Sequence, residues 1–177
     1  MNADDTLIRL SHDTPVGRLT LVADAHGLRA VLWPGDRPTR VPLDARTPLT
    51  SDGATHHPDE VLHATATQLD EYLAGDRRDF DLPLAPAGTP FQHSVWAVLR
   101  TIPYGATMSY ADQARALGNV NKARAVGAAD GRNPLSLVVP CHRVTGAGGR
   151  LTGFAGGLDA KAWLLDHERA VLARSNR

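Results

Sequence analysis

The chain has 177 residues, 42% of them hydrophobic, and a formal net charge of zero. That apolar share supports a packed core and excludes wholesale disorder, and no apolar run approaches the ~20 residues that cross a bilayer. One cysteine excludes a disulfide framework and a cysteine-based zinc site, and without a basic-then-apolar leader pattern the expected setting is reducing and cytoplasmic.

The neutrality conceals a division. Residues 1–90 carry 8 Lys/Arg against 14 Asp/Glu, whereas residues 91–150 carry 7 against 2. An acidic first part and a basic second part suit a protein that turns one region toward a polyanion, although an ordinary solvated surface also produces such a bias.

In chain order, Thr6–Leu10 reads as a short strand, Thr14-Pro15-Val16-Gly17 as a turn and Leu19–Ala23 as the hairpin partner. Asp24–Gly27 turns into a third strand, Leu28–Trp33. Prolines 34, 38, 42, 48 and 58 mark a loop. The His56-His57 pair within it lacks companion ligands at metal spacing. A helix is expected from about Asp59 to Leu73, stopped by Gly75, followed by an extended Asp79–Leu84. Residues 85–89 read as a link, dividing the chain into a domain over 1–88 and another over 89–177.

The second half is mainly helical. Thr89 before Pro90 is a favoured helix start, with Phe91, Val95, Val98, Leu99 and Ile102 as the buried face. Ser109 caps a helix over Tyr110–Leu117, Gly118 ends it, and Asn121 is expected to cap another from Lys122 to Asp130. Two short helices across a glycine-containing turn outline a helix-turn-helix that presents Lys122, Arg124 and Arg132 to phosphates; two packed helices with incidental basic residues are the plainer reading. A last helix is expected over Asp159–Leu172, capped by Asp159.

Between these lies Val138-Val139-Pro140-Cys141-His142-Arg143-Val144, which holds the sole cysteine. Thiolate chemistry needs a base or cation nearby, and His142 and Arg143 supply both types. On an extended strand Cys141 and His142 would face opposite ways, so their cooperation requires a bend, for which Pro140 is suited. The glycine-rich loop that follows lacks both phosphate-binding registers, and such a loop suits close backbone approach to a flat ligand.

Pro140-Cys141-His142-Arg143-Val144 resembles the signature of the O6-alkylguanine-DNA alkyltransferases, the methylated-DNA–protein-cysteine methyltransferases. The resemblance extends through Phe91-Gln92-x-x-Val95-Trp96, Ile102-Pro103-Tyr104-Gly105, Ser109-Tyr110, Ala123–Gly127, Arg132-Asn133-Pro134, Thr152–Gly157 and Lys161-x-x-Leu164-Leu165-x-x-Glu168. It is dense over residues 90–168 and looser before them. It implies an α+β protein, with a small ribonuclease-H-like α/β domain ahead of a mainly helical domain that holds a winged-helix-like helix-turn-helix. It also implies direct-reversal DNA repair: irreversible transfer of an alkyl group from O6 of guanine, with O4 of thymine as a further candidate, to the protein's own cysteine.

On these residues the resemblance makes Cys141 the acceptor, His142 its base through a bridging water, and Glu168 the group that orients the histidine. Tyr110 donates to the purine N3, and Asn133 fixes the turn before the active-site strand. Arg124 replaces the flipped nucleotide in the stack. Lys122, Ala123, Arg132, Ser109 and Tyr110 contact DNA through the minor groove, and Val139, Pro140, Val144, Phe154, Ala155 and Gly156 line the base pocket. No metal or cofactor is implied. The free protein is expected as a monomer, with cooperative coating of DNA compatible with that picture.

Phe154 departs from the tyrosine often found in the family, and Asp130 is expected to place a negative charge near DNA. The competing readings are a non-catalytic protein that flags alkyl lesions for another pathway and a Cys-His hydrolase. One methyl per chain, as against many turnovers on an ester, separates them.

Overall fold

The structure, a computed structural model, describes residues 6–43 and 55–176. The chain divides into two compact units, Met1–Gly88 and Thr89–Arg177. Both are mixed α/β in content, the first built on a small antiparallel sheet and the second mostly helical.

In the first unit, β1 (Ile8–Thr14), β2 (Gly17–Asp24) and β3 (Gly27–Leu32) form an antiparallel sheet in that order. β1 extends beyond the expected Leu10, because its alternating half-buried and exposed residues keep pairing until Thr14 meets Gly17. Polar Ser11, His12 and Asp13 lie in that extension, so an apolar-run criterion misses it. One face of the sheet takes α1 (Pro58–Ala74), whose Val61, Leu62, Leu69, Tyr72 and Leu73 are buried. The helix starts one residue before the expected Asp59, with Pro58 in its first turn, and Gly75 ends it in the left-handed region. Gly27, at φ +131°, allows Pro83 to approach, where a Cβ would stand 2.5 Å from the Pro83 carbonyl oxygen. Leu28 then donates to Pro83 O at 2.8 Å and accepts from Ala85 N at 2.9 Å. The Asp79–Leu84 stretch thus contributes a single bridge, Leu28 with Leu84, rather than a full strand. Pro48 and the rest of 44–54 in the proline-rich loop lie outside the described residues.

In the second unit, α2 (Pro90–Leu99) opens with a capping box: Thr89 Oγ1 accepts from Gln92 N, and Gln92 Oε1 accepts from Thr89 N. A two-residue strand β4 (Met108–Ser109) pairs in parallel with β5 (Val144–Thr145), and α3 (Tyr110–Ala116) follows β4 directly. Asn119, rather than Asn121, caps the next turn, accepting from Asn121 N. That turn, Val120–Lys122, is a 3-10 turn, so α4 runs from Ala123 to Gly131 without a side-chain cap. The α2, α3 and α4 helices pack on one another. The last helix, α5 (Leu158–Ser175), has Gly157 at its N-cap position, so Asp159 sits inside its first turn rather than at its cap. No helix of the described residues is long and apolar enough to cross a membrane.

Candidate active site

The cysteine is delivered by a folded-back loop rather than an extended strand. Asn133, buried just after α4, accepts from Leu135 N at 3.0 Å and donates to Val139 O at 2.8 Å. Val139 N also donates to Leu135 O at 2.8 Å, so the apolar run closes on itself and Leu137 takes a positive φ of 73°. Pro140, at φ −82° and ψ 65°, centres an inverse γ-turn in which Cys141 N donates to Val139 O at 2.8 Å. Cys141–Arg143 then forms a single 3-10 turn. The bend that Cys141 and His142 require is therefore built from backbone hydrogen bonds.

His142 and Glu168 are fully buried, and Cys141 is 9% exposed. Glu168, on α5, bonds His142 Nε2 through Oε1 at 2.8 Å and accepts from Gly105 N through Oε2 at 2.8 Å. Arg143 Nε reaches both Glu168 oxygens at 3.1 Å, and its Nη2 reaches Oε1 at 2.9 Å. Gly105, at φ +78°, can make its contact because a Cβ there would lie 2.2 Å from Leu172 Cδ1.

Burial alone would raise the Glu168 carboxyl, but His142 and Arg143 hold it down at about 2. Burial pushes His142 the other way, below its ordinary value, with Glu168 opposing. Arg143 already balances the carboxylate charge, so the coherent resting state is an ionised Glu168 beside a neutral imidazole. The carboxylate then keeps the imidazole proton on Nε2, which leaves Nδ1 as the basic nitrogen. Arg143 had been expected near the sulfur as a pKa-lowering cation. Its guanidinium instead serves Glu168 and donates to Ile102 O at 2.8 Å.

Tyr110 opens α3 and is half-buried, its hydroxyl accepting from Thr152 Oγ1 at 3.4 Å. Burial raises its pKa, and the negative charges of Asp130 and Cys141 add to the rise, so the phenol keeps its proton. Lys161, fully buried on α5, donates to Thr152 O at 2.7 Å and Gly153 O at 3.5 Å. Burial lowers the Lys161 ammonium, while Cys141 and Asp130 favour its charge. Asp130 does not face outward as expected. It is 7% exposed and accepts from Gln113 Nε2 at 3.0 Å. Burial pushes its carboxyl up to about 7, against the pull of Gln113 and Lys161.

Of the residues expected at DNA, Arg124, Lys122 and Arg132 are exposed and Ala123 is half-buried along α4 and its approaches. Lys122 Nζ also stands 5.4 Å from the Phe91 ring centre. The Ser109 hydroxyl is occupied as a cap, accepting from Asp112 N at 3.0 Å and donating to its carboxylate at 2.7 Å. Among the expected pocket residues, Val139, Pro140 and Val144 are buried, Phe154 and Gly156 are half-buried and Ala155 is exposed. Phe154 meets the His142 ring edge-on at 6.4 Å. Sequence reading passed over Gly105 and Gln113, and it gave Lys161 no role. A signal existed for Lys161, one of two lysines in the chain, placed at helical spacing from Leu164, Leu165 and Glu168.

The chain as a whole is similar to proteins of one family. Residues 7–86 match the ribonuclease-like domain of 6-O-methylguanine DNA methyltransferase, and residues 90–170 match the DNA binding domain of the same family. A methylated-DNA–protein-cysteine methyltransferase of Methanosarcina acetivorans is 43% identical over 157 residues, covering 88% of this chain and 94% of that one. Its counterpart in Shigella flexneri is 45% identical over 163 residues, covering 90% and 94%. The solved Mycobacterium tuberculosis O6-methylguanine methyltransferase superposes with a TM-score of 0.76 at 38% identity, covering 93% of this chain and 94% of that one. The Mycobacterium tuberculosis OGT solved in complex with DNA gives 0.73 at 38%, covering 91% and 92%. With one family model over each part of the sequence and relatives matched along nearly their whole length, this chain belongs to the 6-O-methylguanine DNA methyltransferase family.

Proposed function

We propose that this protein repairs alkylated DNA by moving an alkyl group from O6 of guanine to Cys141 Sγ, once per chain. The observation that carries the reading is His142, fully buried and bonded to Glu168, on the same 3-10 turn as the only cysteine. Nδ1 takes the thiol proton through a bridging water, and the carboxylate stabilises the imidazolium that results. The thiolate attacks the alkyl carbon, the new S–C bond forms and the C–O6 bond breaks. Its electron pair passes to the purine, which takes the Tyr110 proton on N3, and the proton held by His142 returns to the tyrosinate through water. No step reopens the thioether, so the protein is consumed.

In the same reading α3 and α4 act as a winged-helix-like helix-turn-helix lying in the minor groove, where contacts report damage rather than sequence. Arg124 fills the space of the extruded nucleotide. Lys122, Ala123, Arg132, Ser109 and Tyr110 flank the DNA, and Asn133 holds the loop that brings up Cys141. Val139, Pro140, Val144, Phe154, Ala155 and Gly156 enclose the base. The first unit is a ribonuclease-H-like domain, the protein is monomeric when free, and a cytoplasmic, DNA-associated location follows.

Intact mass after mixing with an O6-methylguanine duplex tests this. One methyl per chain, mapped to Cys141 and absent from Cys141→Ser, is expected; turnover, or methyl on another residue, overturns it. Arg124→Ala should slow repair of duplex DNA far more than reaction with a free modified base, since only a duplex has a stack to refill.

A further inference from the structure

Lys161 takes no part in the transfer steps, yet it is costly to place. Its side chain is fully buried, and its N donates to Gly157 O at 3.1 Å in the first turn of α5, where the helix dipole disfavours a cation. Its ammonium pairs with no carboxylate among the described residues; it bonds Thr152 O at 2.7 Å and reaches Gly153 O at 3.5 Å. A buried ammonium aimed at two consecutive carbonyls fixes the backbone at 152 and 153, which an apolar side chain of the same length would not do.

That backbone carries a contact to the phenol. Thr152 Oγ1 donates to the Tyr110 hydroxyl at 3.4 Å, and Thr152 is the one hydrogen-bond partner of that hydroxyl among the described residues. The bond is longer than its best distance, as catalytic hydrogen bonds often are before substrate binds. It pulls the phenol's pKa down, against the rise that burial imposes. A Cβ on Gly153, at φ +39°, would stand 4.0 Å from the same hydroxyl, so the loop backbone lies close to it. The ring rests on α4, where a Cβ at Gly127 would stand 3.6 Å from Tyr110 Cδ1 and Cε1. One helix thus backs the ring, and the loop that Lys161 holds meets the hydroxyl.

We propose that Thr152 is a positioning residue for the proton donor: its hydroxyl aims the Tyr110 phenol at N3 of the leaving purine and stabilises the tyrosinate left behind, while Lys161 holds Thr152 in place through the two carbonyls. The inference rests on Tyr110 being the N3 donor in the alkyl transfer proposed above.

Iodoacetamide separates this role from the chemistry of the thiol, because iodide leaves without a proton. With the free O6-methylguanine base as alkyl donor, Thr152→Val should slow methyl transfer by about tenfold, part of the ~10²–10⁴ that a positioned general acid supplies. Alkylation of Cys141 by iodoacetamide should stay at the wild-type rate. Thr152→Ser restores the hydroxyl and should recover most of the methyl transfer, which a merely space-filling threonine would not predict. Lys161→Met should slow methyl transfer at least as much, and adding Thr152→Val to it should slow it little further, since both act through one contact. Wild-type methyl transfer by Thr152→Val, equal slowing with both reagents, no recovery with serine, or fully multiplicative losses in the double variant would each overturn the proposal. The two Thr152 variants decide the matter even where Lys161→Met does not fold. A wild-type protein that takes up no methyl from an O6-methylguanine duplex would overturn the transfer reading, and this inference with it.

Discussion

The two compact units bury different chemistry. The first packs Leu19, Leu21, Leu28, Leu69 and Tyr72 between a sheet and a helix, and its buried ion pair is Asp24 with Arg29. The second buries Gln113, Asp130, Asn133, His142, Arg143, Lys161 and Glu168 among its leucines and valines. Apolar burial at ~25 cal/mol per Å² stabilises without specifying chemistry, whereas each buried polar group costs stability unless its partners are in place. The second unit therefore tolerates expensive groups where the site needs them. Its stability and its reactivity should fail together, while in the first unit they should separate.

The largest effect should come from Glu168→Leu. It leaves Arg143 and His142 buried around a missing carboxylate, so urea denaturation should report a loss of ~3–5 kcal/mol. Iodoacetamide reactivity of Cys141 in the surviving folded protein should collapse with it. Leu69→Ala provides the contrast: a fully buried leucine on α1, it should cost ~3 kcal/mol and leave the folded protein's thiol reactivity unchanged. A parallel loss of reactivity would mean that the two units do not separate in this way.

The dependence on pH sharpens the comparison. Glu168 has a folded pKa of about 2 against an ordinary 4.5, so its stabilisation is present above the ordinary value and disappears as pH falls toward 2. Asp130 has the opposite sign. Its folded pKa of about 7 lies above the ordinary 3.8, so its penalty is absent at acid pH, grows as pH rises between these values and is complete above them. Thermal melts from pH 3 to 8 should show a rise and then a fall, and Asp130→Asn should remove the fall while Glu168→Gln removes the rise. The smallest effect is expected for Thr89→Ala, which breaks the capping box of α2 for about 1 kcal/mol by denaturant midpoint without touching the site.

Much of the fold was legible because its signals are local. Gly75 stops α1 by adopting a left-handed conformation, and Thr89, Pro90 and Gln92 start α2 among themselves. Ser109 caps α3 through a residue three positions away. Misreadings arose where a nearby alternative competed. Asn119 and Asn121 offer similar side chains, and the register of the turn selects the first. Similarly, Gly157 precedes Asp159 closely enough for the helix to begin before the acid is reached.

The sequence by itself determined which atoms are available for chemistry: a lone thiol, an adjacent imidazole, a carboxylate at helical spacing from buried leucines, and the proline that bends the chain at the sulfur. Only the tertiary structure decided who partners whom. Gly105 and Glu168 are 63 positions apart, Arg143 and Glu168 are 25 apart, and Gln113 and Asp130 are 17 apart. Charge state followed from the same packing. Asp130 read as a surface acid near DNA because pattern along a helix reports which face a residue is on, but not how much solvent that face retains. Once α2 and α3 pack on α4, desolvation outweighs the intrinsic acidity of the carboxyl, and a group expected to repel phosphate is buried against Gln113.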